Sequence, residues 1–311
     1  MERSTENKIV LVTRRTRLEE LIQRFNTEGQ ARFYVEHLGA DFSDYQLEHR
    51  QYREAVAAAS QLLARHARVQ TLDRAFVPNF VFGPQDTVVV LGQDGLVANV
   101  LKYLDGQPLI GVNPDPARWE GVLLPFVVKD LDRLLPEVFA ARRPLHEVSM
   151  AQASLNTGET LCAVNDLFIG PRSHTSARYE ISAAGVTERQ SSSGIIVSTG
   201  MGASGWLRSV LAGAAGIVAS LGGDSSATAL DDFRWESDYL YFSVREPWPS
   251  KTSASSISFG QITRDQPLTL VSQMAENGVI FSDGIESDYV QFNAGTRATI
   301  TLAERRGILV G

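Results

Sequence analysis

The 311-residue chain has very little cysteine and histidine: a single cysteine, Cys162, and five histidines. One thiol cannot form an internal disulfide, and such a composition is typical of a reducing intracellular compartment. The histidines are scattered, without the spacing of zinc ligands, so the sequence predicts no structural zinc site. We therefore expect a cytoplasmic protein with no metal ion held by its own side chains.

Long hydrophobic runs and an excess of positive charge are also missing. No stretch of ~18 apolar residues has the flanks of a membrane helix. The nearest, residues 209–223, is short and rich in small residues, and we interpret it as a packed helix. The formal net charge of −7 argues against a nucleic-acid surface, which normally carries clustered lysine and arginine. An acidic chain can still bind phosphate through backbone N–H groups at glycine-rich turns and helix N-termini.

The first half of the chain alternates between strand-like and helix-like patterns. Apolar runs predict strands at Lys8–Val12, Thr87–Leu91 and Pro108–Val112. Helical spacing of apolar residues predicts helices over Thr16–Phe25, Ala31–Leu38, Tyr45 to about His66, and a segment beginning at Leu96. Strands that alternate with helices at this spacing predict a parallel sheet with helices on its faces.

From about Pro144 the chain consists of short runs rich in Thr, Ser, Val, Ile, Tyr and Phe, separated by turn residues. This pattern predicts an all-β domain, interrupted by one helix over Ser204–Leu221. The predicted fold class is thus α/β plus all-β. We predict an α/β nucleotide-binding domain over residues 1–143 and a β-rich dinucleotide-binding domain over 144–311. Whether the last ~15 residues belong to the first domain instead stays open.

The most informative segment is a strand that runs into Gly92-Gln93-Asp94-Gly95 and then into a helix. Glycines at such a turn let backbone N–H groups approach a phosphate closely. Open α/β sheets bind ligands at the carboxyl ends of their strands. Asp94 can there accept a hydroxyl proton or orient the hydroxyl for attack on a γ-phosphate. From spacing alone, however, the favoured interpretation is a tight turn in which Asp94 is the helix N-cap.

A second strand runs into a loop from Thr199 to Trp206 that is rich in glycine and small hydroxyls. Nucleotide binding fits this loop, with Trp206 stacking on a base. A flexible turn capped by Ser204, with Trp206 in the core, fits equally well. A third segment contains Asn165-Asp166, a pair that can bind a sugar diol or an amide but is more often simply a turn. Neither glycine-rich segment is a Walker A motif or a Gly-x-Gly-x-x-Gly motif.

Taken in order, these segments resemble the NAD kinases. The family's Gly-Gly-Asp-Gly-Thr motif corresponds to Gly92–Leu96, its Asn-Glu motif to Asn165-Asp166, and its glycine- and hydroxyl-rich loop to Thr199–Trp206. The late sequence FSDG (281–284) resembles an Asp-Gly turn of the family. The segments IGVNPDPARWEGVLLPF, SSGIIVSTGMGASGW and FSVREP are similar to the mitochondrial-type branch and its bacterial relatives.

The resemblance implies an N-terminal Rossmann-like domain, a C-terminal β-sandwich-like domain and a homodimer. It implies an enzyme that transfers the γ-phosphoryl group of ATP to the 2′-hydroxyl of the adenosine ribose of NAD, with Mg²⁺ arriving on ATP. Asp94 is implied as the catalytic residue. The implied ATP contacts are Gly92, Gln93 and Gly95, and the implied NAD contacts are Asn165, Asp166, Thr199, Gly202, Ser204, Gly205, Trp206 and Ser209.

Several residues depart from the family pattern, among them Ala203 and Gly205, which trim the dinucleotide loop. Gln93 replaces a glycine and puts a long side chain where a phosphate would lie against bare backbone, while Leu96 replaces threonine and Asp166 shortens the usual glutamate. The expected fold does not depend on these positions, but the fold alone does not imply full catalytic competence. Two alternatives therefore stay open: a catalytically weakened nucleotide-binding regulator of the same fold, and a kinase of a sugar or lipid hydroxyl.

Overall fold

The computed structural model describes residues 8–224, 230 and 232–311. The chain divides into two compact units: the residues up to His146 together with Ile308–Gly311, and Glu147–Gly307. Each unit has a hydrophobic core of its own. The end of the chain belongs to the first unit because the C-terminal strand, Gly307–Val310, pairs with a strand of that unit's sheet.

The first unit is an α/β structure. Its strands are β1 (Lys8–Thr13), β2 (Arg68–Asp73), β3 (Asp86–Leu91), β4 (Pro108–Asn113), β5 (Phe126–Val127) and β6 (Leu145–Val148). Its α-helices are α1 (Arg17–Phe25), α2 (Glu28–His37), α3 (Phe42–Leu63), α4 (Asp94–Leu101) and α5 (Leu131–Phe139). Two 3₁₀-helices occur at Arg74–Asn79 and Val128–Asp130.

These strands form a seven-stranded sheet in the order β2-β1-β3-β4, followed by the C-terminal strand and β6, with β5 also paired to β4. The pairs β1–β2, β1–β3 and β3–β4 are parallel. All six residues of β3 are buried, as its uninterrupted β-branched run predicts for a strand covered on both faces. The order places β1 beside β3 at the point where the winding of the sheet reverses, which is where open α/β sheets bind ligands.

The predicted helices of this unit are confirmed, with ends set by capping residues. Thr16 begins α1 with a capping box: its hydroxyl accepts the Glu19 N–H, and the Glu19 carboxylate accepts the Thr16 N–H. Thr27 caps α2, which therefore begins three residues before the predicted Ala31. The strand β2, which is largely exposed, was not predicted, because it lacks the apolar run on which the other strands were recognised.

The second unit is antiparallel. Its strands are β7 (Ala151–Leu155), β8 (Thr160–Ala163), β9 (Asp166–Pro171), β10 (Ala177–Ala183), β11 (Val186–Ser192), β12 (Ile195–Ser198), β13 (Leu240–Val244), β14 (Phe259–Ile262), β15 (Leu268–Ser272), β16 (Gly278–Ser282), β17 (Tyr289–Gln291) and β18 (Arg297–Leu302). The C-terminal strand of the first unit is β19. One α-helix, α6 (Trp206–Ser220), follows the 3₁₀-helix Gly202–Ser204.

Two six-stranded sheets, β11-β10-β15-β18-β7-β8 and β14-β13-β12-β9-β16-β17, make up this unit. Alternate residues of both sheets enter one shared core, for example Leu167 and Ile169 on β9 and Leu268 and Leu270 on β15. This period of two is what a sheet with one buried face requires. An α/β unit followed by a β-sandwich confirms the predicted fold class. The strands β8 and β9 are separated by a turn at residues 164–165.

A buried tyrosine joins the carboxyl ends of β1 and β3. The Tyr52 hydroxyl accepts the Arg14 N–H at 2.9 Å and donates to the Leu91 carbonyl at 2.9 Å. Burial raises the pKa of Tyr52 to about 12, so the hydroxyl keeps its proton and its donor function. The phenol thus fixes the spacing of the two strand ends on the ligand-binding edge of the sheet.

We expect Tyr52→Phe to lower the free energy of unfolding by about 1–3 kcal/mol, because it leaves the Arg14 N–H and the Leu91 carbonyl without their partner. Urea unfolding followed by circular dichroism measures this. Tyr45→Phe on the same helix is the matched control, since the Tyr45 ring stacks on Phe42 and the described residues offer its hydroxyl no hydrogen bond. Equal stability of the two variants would contradict a bridging role for Tyr52.

Candidate functional site

The sequence-predicted site residues fall into two groups, one in each unit, and each group is described within its own unit. Gly92, Gln93, Asp94 and Gly95 lie between β3 and α4 in the first unit. The remaining residues lie at the ends of β8, β9 and β12 and at the start of α6 in the second unit.

Asp94 is the first residue of α4, and its carboxylate holds a loop. Oδ1 accepts the Leu123 N–H at 2.7 Å, and Oδ2 accepts the Val122 N–H at 3.3 Å. The interpretation of Asp94 as the helix N-cap is therefore wrong. The N-cap is Gln93, whose side chain makes no capping hydrogen bond. The Asp94 carboxylate is directed to the loop that follows β4 instead.

That loop, residues 114–124, can cross the sheet edge because β4 contains a glycine. A Cβ atom on Gly111 would lie 1.9 Å from the Leu123 carbonyl oxygen. At its start, the Asn113 side chain accepts the Asp115 N–H at 3.0 Å and donates to the Trp119 carbonyl at 2.9 Å. The segment that resembles the mitochondrial-type branch thus supplies the two backbone N–H groups that donate to the Asp94 carboxylate.

An ion cluster fastens the same loop to α3. Asp44 accepts a hydrogen bond from Arg118 at 2.5 Å and another from Arg17 at 2.7 Å. The hydrogen bonds from Arg118, and then from Arg17, hold the pKa of Asp44 well below its ordinary value. Asp44 is consequently ionised over the whole pH range in which proteins are handled. The ion pair between Arg118 and Asp44 thus holds the loop of residues 114–124 against α3.

The three predicted ATP contacts differ in what the fold requires of them. A Cβ on Gly92 would lie 2.7 Å from Leu96 Cδ2, and the Gly92 N–H donates to the Val112 carbonyl at 3.3 Å. A side chain at position 92 would therefore require the Leu96 side chain to move. Gly95 is exposed, and no atom lies within 4 Å of a Cβ built there. Gln93 is half-buried between them.

Sequence reasoning missed the arginines that follow β1. The pairing of Val12 with Val90 brings this segment to the same sheet edge as Asp94. Arg14 donates to the buried Glu48 at 2.8 Å, so its charge is compensated. Arg15 is exposed and donates to Gln23, and the described residues place no carboxylate within salt-bridge distance of it. In the sequence, three arginines lie within the four residues that follow a buried strand, and this pattern indicates positive charge at the ligand-binding end of the sheet.

In the second unit, Asp283 organises the Asn165-Asp166 turn. Its Oδ1 accepts the N–H groups of Asn165 at 2.7 Å, Val164 at 3.1 Å and Asp166 at 3.3 Å. Its own N–H donates to the Asp166 carbonyl at 2.9 Å. Asp283 has φ +55°, a left-handed conformation that aspartate tolerates better than most residues. The FSDG turn thus supports the Asn165-Asp166 motif through backbone contacts.

Thr199 and Gly202 are attached to the same turn. The Thr199 N–H donates to the Asn165 carbonyl at 3.0 Å, and its hydroxyl donates to the Val164 carbonyl at 2.5 Å. The same hydroxyl accepts the Gly202 N–H at 3.2 Å. A Cβ on Gly202 would lie 2.2 Å from the Asn165 carbonyl oxygen. The structure therefore brings Asn165, Asp166, Thr199 and Gly202 together, with the Thr199 side chain fully buried and bonded to backbone.

The other predicted dinucleotide contacts begin α6. Ser204, Gly205 and Ser209 are exposed. The predicted Ser204 cap is wrong, because the N-cap is Gly205 and makes no side-chain bond. Trp206 is half-buried, with its ring stacked on Phe168 at a centroid distance of 5.7 Å. The ring is thus partly buried against a core residue, and stacking on a base stays a prediction.

Asp166 is the titratable group of this cluster with the most perturbed environment. Its Oδ1 is buried and has no hydrogen-bond partner, although the residue as a whole keeps some exposed surface. Burial, and secondly the negative charge of Asp283, raise the pKa of Asp166 to about 7, while the nearby Ser198 hydroxyl acts in the opposite direction. The carboxyl group is therefore largely protonated below pH 7.

Two further properties concern the part of the chain that is described. Across residues 8–224, 230 and 232–311, no three His, Cys, Asp or Glu side chains gather in the manner of metal ligands. None of the helices in these segments combines the length and the apolar character that crossing a bilayer would require.

The fold is that of the NAD kinases. The chain is similar to an NAD kinase from Archaeoglobus fulgidus in complex with ATP, with a TM-score of 0.55 and 15% identity, covering 98% of this chain and 93% of that chain. It is also similar to yeast NADH kinase complexed with NADH, with a TM-score of 0.54 and 14% identity, covering 98% and 83%. No protein-family model matches the sequence. No curated protein is significantly similar to it.

We expect Asp283→Ala to lower the free energy of unfolding by about 3 kcal/mol, because three backbone N–H groups lose their acceptor. Asp283→Asn keeps one side-chain oxygen and tolerates positive φ, so its loss is expected to be about 1 kcal/mol. Denaturant unfolding ranks the two variants, and Asp265→Ala, at an exposed turn of the same unit, is the control. An alanine variant as stable as the control would contradict the organising role of Asp283.

Proposed function

We propose that this protein is an ATP-dependent NAD kinase, which transfers the γ-phosphoryl group of ATP to the 2′-hydroxyl of the adenosine ribose of NAD. The observation that carries the proposal is a fixed carboxylate, Asp94, at the carboxyl end of β3 in an NAD kinase fold. One structural neighbour is a complex with ATP and the other a complex with NADH. Both nucleotide classes are therefore expected as ligands of this chain.

Asp94 is suited to orient a hydroxyl and to take its proton. Two backbone N–H groups fix its carboxylate, and a carboxylate has about four lone-pair sites, so acceptor capacity remains. In the proposed step the ribose oxygen forms a bond to the γ-phosphorus, the bond to the bridging oxygen of ADP breaks, and the hydroxyl proton passes to Asp94. The magnesium ion enters as part of the ATP substrate and neutralises phosphate charge.

The ATP phosphates are proposed to lie at the N-terminus of α4, beside Gln93 and the exposed Gly95. The first N–H groups of a helix lack intrahelical partners, and the helix dipole favours negative charge there. Arg15, exposed at the same sheet edge and uncompensated by a carboxylate, is a suitable additional phosphate contact. For the dinucleotide we retain Asn165, Asp166 and the exposed residues at the start of α6.

The direct test is to incubate the purified protein with magnesium-ATP and either NAD or NADH and to measure NADP or NADPH with a dehydrogenase specific for NADP. We expect product that depends on both substrates. If both nucleotides bind and no product forms, the protein is a nucleotide-binding regulator of the same fold. If phosphate passes to a sugar or lipid hydroxyl instead, the kinase assignment survives and the acceptor is wrong.

Asp94→Asn is expected to lower kcat by a factor of about 10²–10⁴, because the amide cannot accept the hydroxyl proton. One side-chain oxygen still accepts the Leu123 N–H, so the change in stability should be about 1 kcal/mol. Initial rates at saturating ATP and NAD measure the effect. Asp105→Asn, at an exposed turn of the same unit, is the matched control. Turnover of Asp94→Asn within about twofold of the wild type would remove Asp94 from the mechanism.

Gln93 allows two opposite outcomes. If its side chain crowds the phosphates, Gln93→Gly should raise kcat/KM for ATP, because backbone N–H groups become accessible. If its amide donates a hydrogen bond to a phosphate, the same variant should lose activity. We expect the first outcome, because a long side chain stands where the family pattern has a glycine. Initial rates over a range of ATP at saturating NAD measure it, and an unchanged or lower kcat/KM would contradict crowding.

A further inference from the structure

The loop of residues 114–124 has a second anchor besides Asp94. Arg118 donates two hydrogen bonds to the Asp44 carboxylate, to Oδ1 at 2.5 Å and to Oδ2 at 3.2 Å. Asp44 lies in the first turn of α3. Among the described residues, no other side chain of this loop forms a hydrogen bond or an ion pair with a different segment of the chain. The bidentate contact therefore fixes where the middle of the loop lies against α3.

A short stretch of backbone connects this anchor to Asp94. The Asp115 carbonyl accepts the N–H groups of Arg118 and Trp119, both at 3.0 Å, so the anchor belongs to a folded turn. Leu123 follows Arg118 by five positions, and its N–H donates to Asp94 Oδ1 at 2.7 Å. A displacement of the turn therefore also shifts the donor that orients the Asp94 carboxylate.

The exposure of the ion pair indicates that it acts on position more than on stability. The side chains of Arg118 and Asp44 are 21% and 41% exposed. Ion pairs with this much solvent contact contribute little to the free energy of unfolding. Asp44 also has a second cation, because Arg17 donates to its Oδ2 at 2.7 Å. Loss of the Arg118 guanidinium would therefore release the loop while the carboxylate stays paired.

We propose that Arg118 is a positioning residue for phosphoryl transfer: its ion pair with Asp44 holds the loop whose N–H groups direct the Asp94 carboxylate at the reacting hydroxyl. The inference rests on the proposed function, because it assigns a supporting residue to the carboxylate of that reaction. In this role Arg118 acts through Asp94 and needs no contact with either nucleotide. A catalytic group displaced by about 1 Å can lose up to about 10²-fold in rate. The effect of Arg118 should therefore appear in kcat.

The kinetic test compares Arg118→Met with the wild type at saturating NAD over a range of ATP. Methionine keeps an unbranched side chain and removes the hydrogen-bond donors. We expect kcat to fall about tenfold, with the KM for ATP within about twofold of the wild-type value. The melting temperature should stay within about 3 °C, because the lost ion pair is partly exposed. Arg118→Lys, which keeps a cation, should recover part of the lost kcat.

The matched control is Arg143→Met. Arg143 pairs with Glu137 at 3.4 Å in the same unit, and the two side chains are 24% and 38% exposed, much as in the pair of Arg118 and Asp44. This variant should keep the kcat of the wild type. The double variant Asp44→Asn/Arg118→Met should have a kcat no lower than the poorer of its two single variants, because both substitutions remove the same contact.

A readout that needs no activity is amide hydrogen exchange at Leu123 in the unliganded protein. The bond from its N–H to Asp94 slows exchange as long as the loop is anchored. We expect exchange to be about tenfold faster in Arg118→Met, because the released loop opens more often. In the Arg143→Met control the rate should match that of the wild type.

Three results would overturn the inference and leave the proposed function standing. The first is an Arg118→Met variant with unchanged kcat or with unchanged exchange at Leu123. The second is a raised KM for ATP at unchanged kcat, which would make Arg118 a phosphate contact. The third is a fall in kcat that is matched by loss of folded protein, which would make the ion pair merely structural. Absence of phosphoryl transfer in the wild type contradicts the proposed function and this inference with it.

Discussion

In both units an aspartate carboxylate accepts backbone N–H groups from a distant turn, and the arrangement of each candidate site depends on that contact. Asp94 holds the loop after β4 through Val122 and Leu123. Asp283 holds the turn between β8 and β9 through three successive N–H groups. Turns at strand ends have N–H groups without ladder partners, and a carboxylate satisfies several of them at once. The same contact fixes the position of the side chain itself.

The two units neutralise buried or partly buried carboxylates by different means. In the first unit, arginines do so: Arg17 and Arg118 surround Asp44 and hold its pKa well below the ordinary value. In the second unit, backbone N–H groups donate to Asp283. Burial, and secondly the negative charge of Asp283, raise the pKa of Asp166 to about 7. Asp44 in the first unit is therefore ionised, whereas the pKa of Asp166 in the second unit is raised.

Local patterns were sufficient to predict the fold class and most of the helices and strands. The buried run of β3, the Thr16 cap of α1 and the change to period two after Pro144 are all properties of neighbouring residues. The errors at the site involve contacts between residues far apart in the chain. Spacing alone favoured Asp94 as an N-cap, because its partners, Val122 and Leu123, lie 28 and 29 residues later. Similarly, Asp283 acts on a turn more than 100 positions earlier, which no spacing rule reveals.

Retention of a motif glycine therefore supports function only where packing does not already require it. Gly202 is required by the Asn165 carbonyl oxygen, which would lie 2.2 Å from an added Cβ, whereas at Gly92 the atom that would lie 2.7 Å away is a methyl group of the Leu96 side chain. Gly202 would be kept in a protein that had lost catalysis. Gly95 has no atom within 4 Å of an added Cβ, and at Gly205 the nearest lies at 3.4 Å, an ordinary contact. Both are exposed at the start of a helix, where a bare backbone admits a phosphate or a dinucleotide. Gly95 is accordingly the glycine that favours nucleotide binding over a purely structural origin of the motifs.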